Sequence, residues 1–273
     1  MKPVTIIGAG AVGRSIALAL FYGGVRIDGI YSLHGKTARD LSKKVKAQIF
    51  GPISMLSDVT DRVILCVPDG EIASVATMLS HQCRSLKNRI VLHTSGALSS
   101  SELLAMKKKG ALAGSFHPMQ SFPRTRRISL KGVWCAVEGD TAALGYAKQL
   151  AKSFQAHTFT ISKEEKVLYH IAGVFASNYL VTLLSVVERI ATESGIPRKN
   201  LWKIYGNIIR QTLENVLSSS PAEALTGPIA RGAVETVTRH LEALSGKKLN
   251  HLVPLYSALG IETARLARKK KQT

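Results

Sequence analysis

The sequence predicts an α/β protein in which a doubly wound, mostly parallel sheet over residues 1–161 is followed by an all-helical domain over residues 162–273. Up to about residue 161, short β-rich runs alternate with helical segments, which is typical of parallel strands joined by right-handed crossovers. Beyond residue 162 the chain holds long helical stretches. Its 273 residues and 45% hydrophobic content suit two domains and exclude intrinsic disorder.

The strands of the first domain are predicted where β-branched and apolar residues cluster between turn residues. These runs are Val4–Gly8, Val25–Ser32, Val63–Val67, Arg89–Thr94, Ala111–Phe116, Val133–Glu138 and Thr158–Ile161. Segments of helical period lie between most of them, at Arg14–Tyr22, Thr37–Lys46, Glu71–Leu79 and Ala142–Phe154. Because strands and helices alternate, helices are expected on both faces of the sheet.

Long helices are predicted for the second domain at Lys163–Ser194, Arg198–Ser218, Val234–Ser245 and His251–Lys269. Gly195-Ile196-Pro197 separates the first two, because glycine and proline favour helix ends. Within the first of these helices, Ile171–Val187 is an uncharged stretch at the lower limit of length for spanning a bilayer. Its polar side chains favour a buried helix of a soluble protein instead.

Charge and cysteine content limit the partners and the compartment. The chain has 37 Lys plus Arg against 18 Asp plus Glu, a net charge of +19. The excess is spread over both halves, and no aromatic residues interleave the basic clusters, so we expect no specific nucleic-acid partner and no membrane. Cys66, Cys83 and Cys135 fit neither a disulfide framework nor a zinc site, which favours a reducing cytoplasm and no metal.

A glycine-rich turn joins the first predicted strand to the first helix. It reads Gly8-Ala9-Gly10-Ala11-Val12-Gly13, the GxGxxG pattern of Rossmann-type domains, in the strand–turn–helix context that this motif requires. Gly8 permits the tight turn, Gly10 lets a pyrophosphate approach, and Gly13 lets the helix pack closely. The helix start would bind the phosphates through its free N–H groups. The turn is therefore predicted to bind a dinucleotide, and a purely structural turn is the alternative.

The end of the second predicted strand indicates which dinucleotide binds. An acidic residue there would bind the ribose hydroxyls of NAD, but Asp28 lies too early in the strand. The strand ends near Ser32, and His34 and Lys36 follow it. The hydroxyl of Ser32 and the cationic groups of His34 and Lys36 suit a 2′-phosphate. NADP is therefore favoured over NAD, with Ser32 and His34 among its ligands. Solvated surface cations are the alternative.

Two later strand ends are predicted to line the nicotinamide half of the site. Val67 and Pro68 end one strand, and Ser95 follows another. Both lie at the carboxyl ends of strands, where open α/β sheets bind ligands. Ordinary loop residues are the alternative.

Candidate groups for proton transfer occur in two places. His117 lies at a strand end, and Lys166, His170 and Ser177 project within about 40° of one another on a helix, with Asn178 on the flank. A lysine or protonated histidine beside a carbonyl or imine stabilises developing charge and donates the proton that accompanies hydride delivery. Lys166, His170, Asn178 and His117 are therefore the predicted catalytic residues. Structural roles for Lys166 and His170 are the alternative.

Substrate contacts are predicted near these groups and in the helical domain. Gln120 follows His117, and Ser177 shares a helix face with Lys166. In the loop Thr226–Gly232, the candidates are Thr226, Gly227 and Arg231, whose guanidinium can bind a carboxylate with two hydrogen bonds. A plain connection between helices is the alternative.

Several of these segments together resemble one family, the bacterial Rossmann-like proteins with a C-terminal helical domain of unknown function. They are Gly8–Gly13, Val67-Pro68-Asp69, His93–Gly96, Phe116–Gln120, Tyr169-His170 with Ser177-Asn178, and Thr226–Gly232. Such proteins are similar in fold to pyrroline-5-carboxylate reductase, prephenate dehydrogenase, ketopantoate reductase and the 6-phosphogluconate dehydrogenase group. In that last group asparagine follows the catalytic lysine by four residues, where this chain has His170.

The resemblance implies an NADP-binding oxidoreductase whose helical domain, similar to the C-terminal domain of 6-phosphogluconate dehydrogenase, forms a homodimer and closes the site. We therefore expect hydride transfer between the nicotinamide and a small carboxylate-bearing 2-oxo, imino or 2-hydroxy acid. Ketopantoate is one such substrate, suggested by the resemblance alone. The alternative is a sensor or scaffold protein that binds NADP without turning it over.

Overall fold

The computed structural model describes residues 1–33, 35–47, 49–52, 61–123, 128–246 and 248–270. These ranges contain one eight-stranded sheet with the order β3-β2-β1-β4-β5-β6-β7-β8. The strands are β1 (Val4–Ile7), β2 (Ile27–Ser32), β3 (Ile49–Pro52), β4 (Arg62–Leu65), β5 (Ile90–His93), β6 (Leu112–Pro118), β7 (Trp134–Gly139) and β8 (His157–Thr160). Neighbouring strands pair in parallel except β6 and β7. The predicted mostly parallel sheet is confirmed, and the order of its first six strands is that of a Rossmann fold.

Helices cover both faces of this sheet. The helices on one face are α1 (Ala11–Tyr22), α2 (Gly35–Val45) and α5 (Thr141–Ser153), and those on the other are α3 (Ile72–Gln82) and α4 (Leu104–Lys107). Each face of the sheet has its own core, the first under α1, α2 and α5 and the second under α3 and α4. Successive strand residues point to opposite faces, so Ile6 packs into the first core and Ile7 into the second. Each such fully buried side chain stabilises the fold by about 1.5–3 kcal/mol relative to an exposed one.

Two features of the sheet differ from the sequence prediction. The edge strand β3 was not predicted, because its four residues include Gly51 and Pro52, which are unfavourable in strands. β7 runs antiparallel to β6, because no helix lies between Pro118 and Trp134 among the described residues to carry a crossover.

The chain divides into two compact units, Met1–Tyr179 and Leu180–Thr273. The first unit therefore includes α6 (Lys166–Val174) and the π-helical turn Phe175–Tyr179, and the second begins with α7 (Leu180–Glu193). A single helix was predicted here, whereas the structure inserts a π-helical turn. The predicted boundary between residues 161 and 162 lies at the end of the segment that forms the sheet. As a boundary between domains it stays a prediction.

The helical stretch Lys166–Glu193 is long and apolar enough to cross a membrane, with a mean hydropathy of 1.6, and none of its most apolar window is buried. The expectation that this stretch is a buried helix is therefore wrong for the single chain. Side chains such as Leu168 and Phe175 are more than half exposed. The sequence pattern indicates the length and polarity of a helix, but it does not indicate whether another surface packs against it.

The second unit consists of α7 and five further helices in the described residues. They are α8 (Arg198–Ser218), α9 (Pro221–Ala224), α10 (Pro228–Arg231), α11 (Val234–Ser245) and α12 (Val253–Lys270). The bounds of α8 and α11 are those predicted. The Ser220 hydroxyl accepts a hydrogen bond from the Glu223 N–H and so caps α9, while α12 packs against α9, α10 and α11.

Candidate active site

The glycine-rich turn between β1 and α1 has no room for side chains at two positions. Gly8 has φ +104°, and a Cβ there would lie 2.2 Å from the Cys66 carbonyl oxygen. A Cβ on Gly13 would lie 1.8 Å from the Gly8 carbonyl oxygen. A Cβ on Gly10 would meet no atom within 4 Å. Gly8 and Gly13 are thus required by the fold, whereas Gly10 leaves open space at the start of α1.

A cavity of about 940 Å³ lies beside this turn, within the range of ligand sites. Six of the predicted cofactor residues line it: Ala9, Gly10, Ala11, Val12, Val67 and Pro68. Ten further residues also line it: Arg14, Ser15, Leu18, Tyr22, Lys44, Cys66, Asp69, Thr94, Phe122 and Pro123. Arg14 and Lys44 are exposed cations there, and sequence reasoning missed both, because a cation on a helix is usually solvated.

The cavity fits a dinucleotide on observations from this chain. The first turn of α1 holds no acidic residue, so its free N–H groups and positive dipole face an anion without competition. The open space at Gly10 lies at the same helix end. Gly10 and the N-terminus of α1 would therefore hold a pyrophosphate, with Arg14 and Lys44 as cations on the wall.

Ser32, one of the two residues predicted to select NADP, is not among the residues that line the cavity. β2 ends at Ser32 as predicted, and the Ser32 and Thr37 hydroxyls share a hydrogen bond of 2.8 Å. His34 lies outside the described residues. Asp28 lies inside β2, where its carboxylate accepts a hydrogen bond of 2.9 Å from Arg26 Nε. Asp28 is therefore not at the strand end that a ribose would reach.

Lys166, the first residue of α6, has no exposed surface. Its Nζ donates to the Ser115 hydroxyl at 2.8 Å and to the Ser95 carbonyl oxygen at 3.2 Å. Burial lowers the pKa of Lys166 to about 8, while Glu138 and Asp69 oppose that change. Lys166 therefore has no surface for a ligand to contact, and it can influence a ligand only through Ser95 and Ser115, its hydrogen-bond partners.

The rings of His117 and His170 lie close to each other. Their ring centroids are 6.2 Å apart, and both residues are half-buried. His117 Nδ1 shares a hydrogen bond of 2.8 Å with the Tyr169 hydroxyl. A Cβ on Gly96 would lie 2.7 Å from His170 Cδ2 and 2.8 Å from His117 Nε2, so a backbone without a side chain packs against both rings.

The electrostatics keep His117 uncharged at neutral pH. Burial lowers its pKa to about 4, and the charge of Lys166 acts in the same direction. A neutral imidazole can accept a proton or donate a hydrogen bond, and the bond to Tyr169 at Nδ1 leaves Nε2 toward Gly96. The pair of imidazoles is thus suited to binding a polar group and exchanging a proton with it.

Ser95 anchors the turn between the cavity and these histidines. It is buried, and its hydroxyl donates to Asp69 Oδ2 at 2.8 Å while accepting from the N–H groups of Ala97 and Leu98. Ser95 therefore shapes the site from beneath rather than lining the cavity. Asp69 lines the cavity directly, although the sequence analysis did not select it as a ligand.

The remaining predicted residues are more dispersed. Gln120 is exposed after β6, and Ser177 and Asn178 lie on the π-helical turn, half-buried and exposed respectively. That turn departs from 100° per residue, so the angle between Ser177 and Lys166 differs from the predicted one, and their common face stays a prediction. Thr226, Gly227 and Arg231 belong to the second unit, where they flank or form α10.

The structure also shows a buried polar group that sequence reasoning missed. Glu138 on β7 accepts hydrogen bonds from Ser100 and Ser115. Its signal was present, because a carboxylate inside an apolar strand run is unusual. Among the described residues, no group of three His, Cys, Asp or Glu side chains could hold a metal ion.

Two family models match this chain. A Rossmann-like domain matches residues 2–118, and DUF2520, a domain of unknown function, matches residues 133–263. The chain thus combines a Rossmann-like domain with a DUF2520 domain, which confirms the predicted resemblance. No curated protein matches it.

Solved structures match over almost the whole chain. A proposed NADP oxidoreductase from Bacteroides fragilis is 22% identical, with a TM-score of 0.81 and coverage of 97% of this chain and 98% of that one. A Thermotoga maritima protein is 27% identical, with a TM-score of 0.75 and coverage of 98% and 99%. A pyrroline-5-carboxylate reductase from Coxiella burnetii is 14% identical, with a TM-score of 0.61 and coverage of 98% of each chain. The expected similarity in fold to that reductase and to prephenate dehydrogenase is confirmed.

Proposed function

We propose that this protein is an NADP-dependent oxidoreductase that transfers hydride between the nicotinamide and a small carboxylate-bearing 2-oxo, imino or 2-hydroxy acid. The observation that carries the proposal is the position of the His117–His170 pair. It adjoins the Ser95–Gly96 turn at the same sheet edge as the dinucleotide-sized cavity. Proton-transfer groups beside a cofactor cavity are what a hydride-transfer enzyme needs.

NADP is proposed as the cofactor for two reasons. The strand end after Ser32 carries no carboxylate, and Asp28 is engaged with Arg26 inside β2. The Bacteroides fragilis protein, similar over the whole chain, is described as an NADP oxidoreductase. Bound NADPH would supply the hydride.

In the proposed reaction the residues of this chain bind, orient and move a proton. The N-terminus of α1 with Arg14 would hold the pyrophosphate, and Val67 and Pro68 would line the nicotinamide half. His170 exchanges the proton with the substrate oxygen or nitrogen, and His117 Nε2 orients that same atom. Lys166 holds the floor of the site from beneath. The substrate contacts of Gln120, Ser177, Asn178, Thr226, Gly227 and Arg231 stay predictions from sequence.

The first test is a titration of the protein with NADPH, followed by nucleotide fluorescence. Binding is expected for the wild type and its loss for Gly10→Asp, because the added carboxylate enters the open space at Gly10 and repels the pyrophosphate. Gly145→Asp adds the same charge on the exposed side of α5 and serves as the matched control. Absence of NADPH and NADH binding at millimolar concentration contradicts the proposal.

A second candidate function is an NADP sensor or scaffold without turnover. The burial of Lys166 favours it, since that side chain has no exposed surface for a ligand to contact. A panel of 2-oxo and imino acids with stereospecifically deuterated NADPH separates the two. Deuterium in any product excludes a sensor.

We further propose that two copies of the chain associate through the second unit. This proposal is supported by exposed apolar side chains on α8, among them Trp202, Ile204 and Ile208. Soluble proteins seldom leave several large apolar side chains of one helix uncovered.

A further inference from the structure

A buried carboxylate lies behind the histidine pair without a direct cationic partner. Glu138 is 7% exposed, and its carboxylate accepts three hydrogen bonds. The Ser100 hydroxyl donates at 2.7 Å, the Ser100 N–H at 2.8 Å and the Ser115 hydroxyl at 3.3 Å. Among the ion pairs of the described residues, none includes Glu138. A buried charge of this kind needs a compensating one nearby.

Ser115 connects this carboxylate to a buried ammonium. Its hydroxyl accepts from Lys166 Nζ at 2.8 Å while donating to Glu138 Oε2, so one hydroxyl lies between the two charges. Ser115 and Lys166 have no exposed surface. In such surroundings an opposite charge has a large effect on which form of a lysine is stable, because water does not screen it.

The lysine in turn holds the floor of the candidate active site. Its Nζ donates to the Ser95 carbonyl oxygen, and the next residue, Gly96, packs against His117 and His170. A hydrogen bond from a charged ammonium is roughly twice as strong as one from a neutral amine. The charge of Lys166 therefore determines how firmly the turn is held.

We infer that Glu138 and Ser115 are positioning residues of the proposed reaction. The Glu138 carboxylate acts through the Ser115 hydroxyl to keep Lys166 protonated, and protonated Lys166 holds the Ser95–Gly96 turn beneath the two histidines. This catalytic role rests on the proposed function. The effect of Glu138 on the charge of Lys166 does not.

Other titratable groups also surround Lys166. Asp69, which follows β4, acts in the same direction as Glu138, and His170 lies on the same helix as the lysine. His93 on β5 and His117 on β6 both have a pKa lowered to about 4, chiefly by burial and next by the charge of Lys166. Both histidines are therefore neutral above about pH 5, and the charges of Glu138 and Asp69 are the ones that favour protonated Lys166 there.

The test follows Lys166 directly by NMR of the full-length protein labelled with ¹⁵N-lysine, and Lys166→Met identifies its Nζ signal. The expected result is a fall in the Lys166 pKa of about one unit or more in Glu138→Gln, because the removed charge favours the protonated form. Ser115→Ala is expected to lower it as well, and serves if Glu138→Gln does not fold. Glu164→Gln removes an exposed carboxylate two residues before Lys166 and should leave the pKa unchanged.

The pH profile of turnover gives the second readout. With an active substrate, the alkaline limb of kcat is expected to move to lower pH in Glu138→Gln, by as much as the Lys166 pKa falls. A Lys166 pKa that is unchanged in Glu138→Gln or Ser115→Ala overturns the inference, even if the enzyme turns over. A lowered pKa in a protein that neither binds nor oxidises NADPH contradicts the proposed function while the electrostatic link stands.

Discussion

At the residue scale, the site depends on one backbone position without a side chain. Gly96 lies against His117 and His170, where a Cβ would come within 2.8 Å of both rings. The two rings also contact each other, and His117 is hydrogen-bonded to Tyr169. Neither imidazole can move away without breaking one of these contacts.

Gly96→Ala is expected to lower kcat/KM about 100-fold, because the displaced imidazoles no longer meet the substrate atom. NADPH affinity is expected to change little, since Gly96 does not line the cavity. Steady-state kinetics with fluorescence titration measure both effects. Gly70→Ala is the control, because a Cβ at Gly70 meets nothing within 4 Å. Equal activity in the two variants would contradict the expectation that a side chain at Gly96 displaces the histidines from the substrate.

A residue of the site could be predicted from sequence where its signal comes from neighbouring positions along the chain. His117, Lys166 and His170 were found because a strand end and a helical spacing are local patterns. Ser115 was missed, because its importance arises from its pairing with Glu138 across β6 and β7, which no local pattern reports. Glu138 had a local signal, a carboxylate in an apolar strand run, but that signal does not indicate its partner. The sequence left the proton donor open between Lys166 and His170, and the complete burial of Lys166 is our reason for proposing His170.

At the element scale, the turn between β1 and α1 follows from close packing. α1 approaches the sheet so closely that Gly13 faces the Gly8 carbonyl oxygen. Strong local signals also predicted the bounds of α8, which begins after Pro197 and ends before Ser219. β3 escaped prediction, because its pairing with β2 outweighs the poor strand propensity of Gly51 and Pro52.

Gly13→Ala is expected to reduce the free energy of unfolding by about 3 kcal/mol or more, because a Cβ 1.8 Å from backbone forces α1 to shift. Urea unfolding followed by circular dichroism measures the change. Gly145→Ala, on the exposed side of α5 with nothing near its Cβ, should instead stabilise by about 0.5–1 kcal/mol through helix propensity. Similar values for the two variants would mean that the packing of α1 tolerates a side chain.

At the scale of the whole molecule, the two units differ in how much apolar surface they bury. The first has two cores on either side of the sheet, whereas the described residues of the second bury one small cluster, Leu244, Leu249 and Leu252, with Ala191 and Leu201 buried outside it. Sequence composition predicted helices for this unit but not what covers them. A second copy of the chain is our proposal for that cover.

Light scattering is expected to give about twice the chain mass of 29.5 kDa. Ile208→Glu on α8, where Ile208 is 63% exposed, should shift the protein toward the monomer, because a charge opposes burial in an apolar interface. Asn207→Glu adds the same charge at the neighbouring exposed position, on a different side of the helix, as a control. A wild-type monomer at micromolar concentration contradicts the proposed association.

Because β7 runs antiparallel to β6, Pro118 at the end of β6 and Trp134 at the start of β7 lie at the same edge of the sheet, so the connection between them starts and ends at that edge. Phe122 and Pro123 in this connection line the cavity. Neither belongs to a strand, but Phe122 also packs against the first core, so its replacement changes the cavity wall and that core together. Pro123 lies on the cavity wall outside the strands, so a replacement there can change which ligand fits while the Glu138–Ser115–Lys166 hydrogen bonds are kept.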